Sequence, residues 1–181
     1  QAGNVLDVDS RWSKMFLTGI YCFRRLIELA LTKHNFVTVL GGPGNHDDIS
    51  ALALTVTMQA VFENNPRVDI RLPVNPFAYY EHGQVMIAVN HGTVDARQLA
   101  MVAAADEPEM WGRTRHRTAL VGHKHSKSIL EAPGITIEGF RAIAARDAWA
   151  HGRGYRSGRE MVAIVYDKKS EIERRTKIIS Y

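Results

Sequence analysis

The run from Phe36 to Leu40, FVTVL, is nearly unbroken apolar and mostly β-branched. A strand of that kind has no polar face to turn to water, so it belongs in a sheet covered on both sides, as parallel and mixed sheets are. Ahead of it, Trp12, Met15, Phe16, Ile20, Phe23, Ile27, Ala30 and Leu31 recur at three- and four-residue steps, while Arg11, Lys14, Arg24, Arg25 and Lys33 take the other face. That spacing predicts an amphipathic helix, started by Ser10 as its cap and ended near His34, whose ring can meet the last free carbonyls. Behind it, the glycines and proline of GGPG stop the strand, and Asp47 or Asp48 can cap a second helix over ISALALTVTMQAVFEN.

The rest of the chain keeps interleaving the two periods. RVDIRL, FAYYE and QVMIAVNH read as strands, the last two joined through His82-Gly83 as a hairpin. DARQLAMVAAA is Ala-rich and helical, and ADEPEMWGRTRHR reads as a polar loop leading into the strand TALVGH. KSILEA, GITIEGF and EMVAIVYD add strands, punctuated by Pro133-Gly134 and by the glycines of HGRGYRSGRE. The expected class is α/β: a layered mixed β-sheet sandwich flanked by helices. With 181 residues, 45% of them hydrophobic, one core and one domain over residues 1–181 are expected.

A formal charge of +4 favours anionic partners but lacks the concentrated excess of a DNA-coating protein. The single cysteine, Cys22, excludes an internal disulfide framework and fits a reducing, cytoplasmic compartment; its apolar neighbours predict a packed thiol. The most apolar early segment is interrupted by Arg24, Arg25 and Glu28, which argues against a membrane-spanning helix, and no signal peptide pattern is present.

In sheets of this class, chemistry gathers in the loops leaving the carboxyl ends of strands. Three such loops carry imidazole: GNHD (Gly44 to Asp47), NHG (Asn90 to Gly92) and GHKH (Gly122 to His125). The neighbouring glycines permit tight or left-handed turns that aim a short side chain inward. His123 and His125 stand two apart, so an extended backbone would send both rings from one face, toward adjacent metal ions. Imidazole nitrogen mixed with amide oxygen suits manganese, iron or zinc better than calcium. Taken alone, GGPGNHDD is an ordinary strand-to-helix turn; the three loops in this order make the metal reading.

GNHD, HG and GHKH, in that order at strand ends, resemble the calcineurin-like metallophosphoesterases, and the overall texture is similar to phage- and prophage-encoded members. The resemblance spans roughly residues 36–126. It implies two mixed sheets with helices outside and a centre of two divalent metal ions, manganese first, at one sheet edge. Asn45, His91 and His123 would hold the second ion and His125 the first. His46 would stand by the leaving oxygen as proton donor or charge stabiliser. The implied activity is phosphoester hydrolysis, by a phosphodiesterase or nuclease or by a phosphatase, with the basic loops and a likeness to the repair exonucleases favouring the first over a protein phosphatase.

The family's earlier motifs, Asp-x-His and Gly-Asp-x-x-Asp, are not in this sequence, and Asp7-Val8-Asp9 does not replace them. The chain is therefore expected to be a C-terminal portion, lacking the first strands and the bridging carboxylate, with partial metal binding and little hydrolysis alone. Arg113, Arg115 and Arg117 are candidates for holding substrate phosphate, as are Arg153, Arg156 and Arg159, with Trp111 or Tyr155 stacking a base. Two alternatives stand beside the enzyme: a non-catalytic nucleic-acid-binding module, and a sheet-completing protein that oligomerises through an exposed edge.

Overall fold

The computed structural model describes residues 11–41, 43–45, 48–145, 148–170 and 173–180. The chain forms two compact units, Gln1–Pro76 and Phe77–Tyr181. The expected caps at Ser10 and Asp47 lie outside the described residues, as does His46.

In the first unit, α1 (Trp12–Leu31) leads to β1 (Val37–Val39), then α2 (Asp48–Val61) and β2 (Val68–Ile70). β1 and β2 are parallel, Val37 opposite Val68, so α2 is the crossover that parallel strands require. Ile27 of α1, Met58 of α2, Phe62 and Ile70 are buried together, with Ile20, Leu31, Val37 and Val39 packed on them. The helix end is tied by Arg67, not by His34: its guanidinium donates to the carbonyls of Leu31 at 2.9 Å, His34 at 2.6 Å and Asn35 at 2.8 Å. A planar five-donor group satisfies three orphan carbonyls where one imidazole serves fewer.

Two sequence expectations change here. β1 is shorter than FVTVL and all three of its residues are only half-buried, because among the described residues it pairs with β2 alone. Cys22 is exposed, not packed. Its neighbours Leu17, Tyr21, Leu26 and Leu29 are exposed as well, since α1 carries apolar residues around more of its circumference than its partners cover.

The second unit is built on a five-stranded mixed sheet. Its strands are β3 (Phe77–His82), β4 (Val85–Asn90), β5 (His116–Val121), β6 (Ser128–Ala132) and β7 (Ile135–Gly139), in the spatial order β3-β4-β5-β7-β6. β4, β5 and β7 run parallel at the centre, and each edge strand is one arm of a hairpin. Strand alternation sorts the two faces. Ala88, Ala119, Ile135 and Ile137 face α3 (Ala96–Asp106), packing on Leu99 and Ala100. Asp95 caps α3 by accepting from the backbone N–H groups of Arg97 and Gln98.

On the other face lies a two-stranded hairpin, β8 (Arg159–Tyr166) and β9 (Glu173–Ser180). Buried Glu160 of β8 pairs with Arg141 at 3.7 Å, and buried Glu138 of β7 pairs with Arg175 of β9. The turn end meets the β3–β4 turn, where Gln84 N–H donates to the Lys168 carbonyl at 2.7 Å. The second unit is thus a layered α/β arrangement of helix, mixed sheet and hairpin.

ADEPEMWGRTRHR is not a loop. It contains α4 (Pro108–Arg113), with proline at its start, Glu109 in the first turn and Arg113 in the last. Those are proper helix-end residues. β5 accordingly begins at His116, placing that residue in a strand. HGRGYRSGRE likewise starts inside a short helix, α5 (Ala148–Gly152). Among the described residues no helix is long and apolar enough to cross a membrane.

Candidate metal centre

At the carboxyl edge of the central sheet, β4 and β5 end side by side, Asn90 opposite Val121. Their loops therefore leave in register, and three local features bind them together. The Asn90 side chain, buried within the sheet end, accepts from Gly92 N–H at 2.8 Å and bends the chain around His91. Gly92 has φ +103°, open to glycine and strained for any other residue. Gly122 N–H donates to the His91 carbonyl at 3.1 Å, so the β5 loop is hydrogen-bonded across the β4 loop.

The result is a pair of imidazoles. Nδ1 of His123 lies 3.2 Å from Nε2 of His91, with ring centroids 5.0 Å apart and planes at 67°. Without an ion, one ring's N–H donates to the other's lone pair. Two nitrogens bound to one ion at about 2.1 Å stand about 3.0 Å apart at a right angle and about 3.4 Å at the tetrahedral angle. The observed separation falls between, so the pair fits two positions on one borderline divalent cation.

The backbone beneath the pair is unusual. Among the described residues, the non-glycine positions with positive φ are His123 at +64° and His125 at +50°. Lys124 N–H donates to the Gly122 carbonyl at 2.7 Å, closing a three-residue turn over His123 in its rarer, strained hand. Left-handed non-glycine residues cost about 1–3 kcal/mol each and cluster at functional sites. GHKH is therefore not extended, as its two-residue spacing implies, and alternation is not what aims its rings. His123 and His125 are both exposed at the tip, and it is His123 that meets His91.

The other site residues are placed as follows. Asn45 is half-buried in the turn before α2, within the first unit, and His46 lies outside the described residues. Arg113, Arg115 and Arg117 sit at the amino end of β5, a strand length away from His123 at its carboxyl end. Arg113 forks onto Glu81 at 2.7 to 3.0 Å, which pulls the Glu81 carboxyl below the usual range. Arg117 stacks on Trp111, its guanidinium carbon 4.5 Å from the ring centroid, and donates to the Trp111, Thr114 and Gly134 carbonyls. Burial lowers the pKa of Arg117, as desolvation of a cation must. These two arginines brace α4 against the sheet.

What the sequence reading overlooked is Asn90 as the residue that shapes the His91 turn. Its signal is the Asn-x-Gly spacing, a side-chain acceptor two residues before a glycine N–H. Among the described residues no group of three or more His, Cys, Asp or Glu side chains is arranged to hold a metal ion. Compared with protein-family models, with curated proteins and with solved structures, the chain matches none.

Proposed function

We propose that the protein is a divalent-metal-dependent phosphoester hydrolase of the calcineurin-like metallophosphoesterase fold, with its metal held in part by His91 and His123. The observation that carries the reading is the 3.2 Å imidazole pair raised on a left-handed backbone at the carboxyl edge of a parallel sheet. His125 is assigned as a further ligand, in a centre of two ions with manganese preferred over iron or zinc.

When bound, the ions supply Lewis-acid stabilisation of the phosphoryl oxygens and a lowered pKa for the attacking water. The chain's own part is to hold two imidazole nitrogens at a fixed separation, so that little reorganisation is needed on binding. Asn90, Gly92 and the Gly122-to-His91 hydrogen bond perform that positioning. The exposed thiol of Cys22 agrees with a reducing, cytoplasmic setting.

Calorimetric titration with manganese tests the reading. Binding is expected, weakened at least about tenfold by His91→Ala. Because the sequence lacks the Asp-x-His and Gly-Asp-x-x-Asp carboxylates, slow turnover of bis-nitrophenyl phosphate is expected. Absence of any manganese binding that depends on His91 rejects the assignment.

A second reading, a module that completes its sheet with another chain, is favoured by one observation. Among the described residues, β1 and β2 form a two-stranded sheet beside an open apolar groove of about 440 Å³ lined by Trp12, Phe16, Phe23, Leu54 and Met58. Light scattering decides it: self-association is expected under this reading, and a monomer at high concentration removes it.

A further inference from the structure

The third parallel strand of the central sheet, β7, ends at the same edge as β4 and β5, with Gly139 opposite Val121. Phe140 N–H donates to the Val121 carbonyl at 3.0 Å, so the chain leaves β7 directly beside the strand that delivers His123. It returns at Gly158 to start β8. The two ends of this excursion are held together by Arg141, which pairs with Glu160 at 3.7 Å and lies against Gly158. A long loop tied at its base on a sheet edge is a form proteins use for binding.

Its described tip is ordered by α5. Gly154 at φ +79° donates to the His151 carbonyl, and Tyr155 N–H to the Ala150 carbonyl, both at 3.1 Å. Arg156 closes the helix end by donating to the carbonyls of His151 at 3.1 Å and Tyr155 at 3.0 Å. This arrangement leaves Tyr155 54% exposed, far more than an aromatic ring that serves the core, between the exposed side chains of Arg153 and Arg156. An accessible ring with an exposed arginine before and after it in sequence suits an unstacked base between two phosphates. A duplex keeps its base faces stacked and offers the ring nothing.

We propose that residues 151–156 of the β7–β8 connection recruit substrate and take single-stranded nucleic acid, Tyr155 stacking a base while Arg153 and Arg156 hold the flanking phosphates. The inference rests on the phosphoester reading for its purpose and names that site's substrate class. It moves phosphate recognition from Arg113 and Arg117, at the amino end of β5, to a loop that leaves β7 beside the strand carrying His123.

Fluorescence anisotropy with labelled oligothymidylate, in the presence of chelator, measures recruitment without any metal, while manganese titration reads the imidazole pair separately. Arg153→Ala with Arg156→Ala is expected to flatten the salt dependence by about 1.4 in log K against log salt, about 0.7 for each phosphate contact. Tyr155→Ala should weaken binding about tenfold and Tyr155→Phe leave it nearly intact, since stacking needs only the ring. Arg113→Ala serves as the basic control, and circular dichroism confirms that each variant is folded. No binding at low salt, equal binding of duplex, or an effect of Arg113→Ala as large as that of the loop variants overturns the proposal. A failure here with manganese binding intact removes the substrate and leaves the hydrolase; the converse removes the hydrolase and leaves a nucleic-acid-binding loop.

Discussion

Gly92 and Gly122 stand so close that a Cβ built on Gly92 would lie 2.9 Å from the Gly122 carbonyl oxygen and 3.3 Å from the His123 Cβ. Both obstacles are parts of the loop that carries the second imidazole, and the first is backbone. Gly92→Ala therefore adds a clash to the strain already implied by φ +103°. A loss of about 1–3 kcal/mol is expected, together with separation of the two rings. Gly122→Ala is the comparison, because a Cβ there meets only the His91 carbonyl at 3.5 Å, an ordinary contact. Urea unfolding of both variants should show Gly92→Ala as clearly the more damaging.

Glu138 and Arg175 hold the β8–β9 hairpin onto the sheet. The Glu138 side chain is 3% exposed and that of Arg175 25%. Removing one partner strands a charge in a poorly solvated place, so Glu138→Ala is expected to cost about 3 kcal/mol, the low end for a buried pair because Arg175 keeps some water. Replacing both, as Glu138→Leu with Arg175→Met, should recover most of that loss. A double variant as unstable as the single one, by urea denaturation, would mean the hairpin depends on the ion pair itself and not on avoiding a lone charge.

These relationships show how far the sequence could be followed. Period-two runs and the His82-Gly83 turn identified β3, β4 and β5 because each has one dominant environment, and strand ends could be marked by the glycines that follow. β9 escaped because half of ERRTKIIS is charged; it is recruited by pairing with β8. α4 escaped because its polarity outweighed Pro108, Glu109 and Arg113 at its ends. His91 and His123 were legible as strand-end residues. The turn that joins them was not, since it depends on Asn90 and on strained angles at His123, which no periodicity encodes. The partners of Arg113 and Arg117 were not legible either: Glu81 is distant in sequence from Arg113, and Trp111 sat in an apparent loop.

Tyr79 donates its hydroxyl to Asp106 at 2.8 Å, tying β3 to the end of α3. Burial, then the hydrogen bond to Asp106, push the phenol well above its ordinary pKa of 10.0. The unfolded chain releases this proton first as pH rises, so the folded state binds more protons above about pH 10 and loses stability there. Below that range the contribution is fully present. Tyr79→Phe is expected to cost about 1 kcal/mol at neutral pH, from the lost hydrogen bond, and to flatten the alkaline limb of a stability profile. An unchanged alkaline limb in Tyr79→Phe would place that titration on another group.

His91 and His123 make the sharpest test of the site because two ligands of one ion cannot fail independently. If each imidazole served separate purposes, the effects of His91→Ala and His123→Ala on manganese affinity would add. If both hold one ion at the 3.2 Å spacing observed, either substitution already removes the preformed pair, and the second has little left to remove. The expected pattern is a loss of at least about tenfold for each single variant and little more for the double. Thermal unfolding without metal should change little, since His123 is exposed and a single ring-to-ring hydrogen bond contributes about 1 kcal/mol. With manganese, the wild type alone should gain stability, by mass action on the folded state. Additive losses in affinity, or equal manganese stabilisation of the double variant, would assign the ion to another place in the chain.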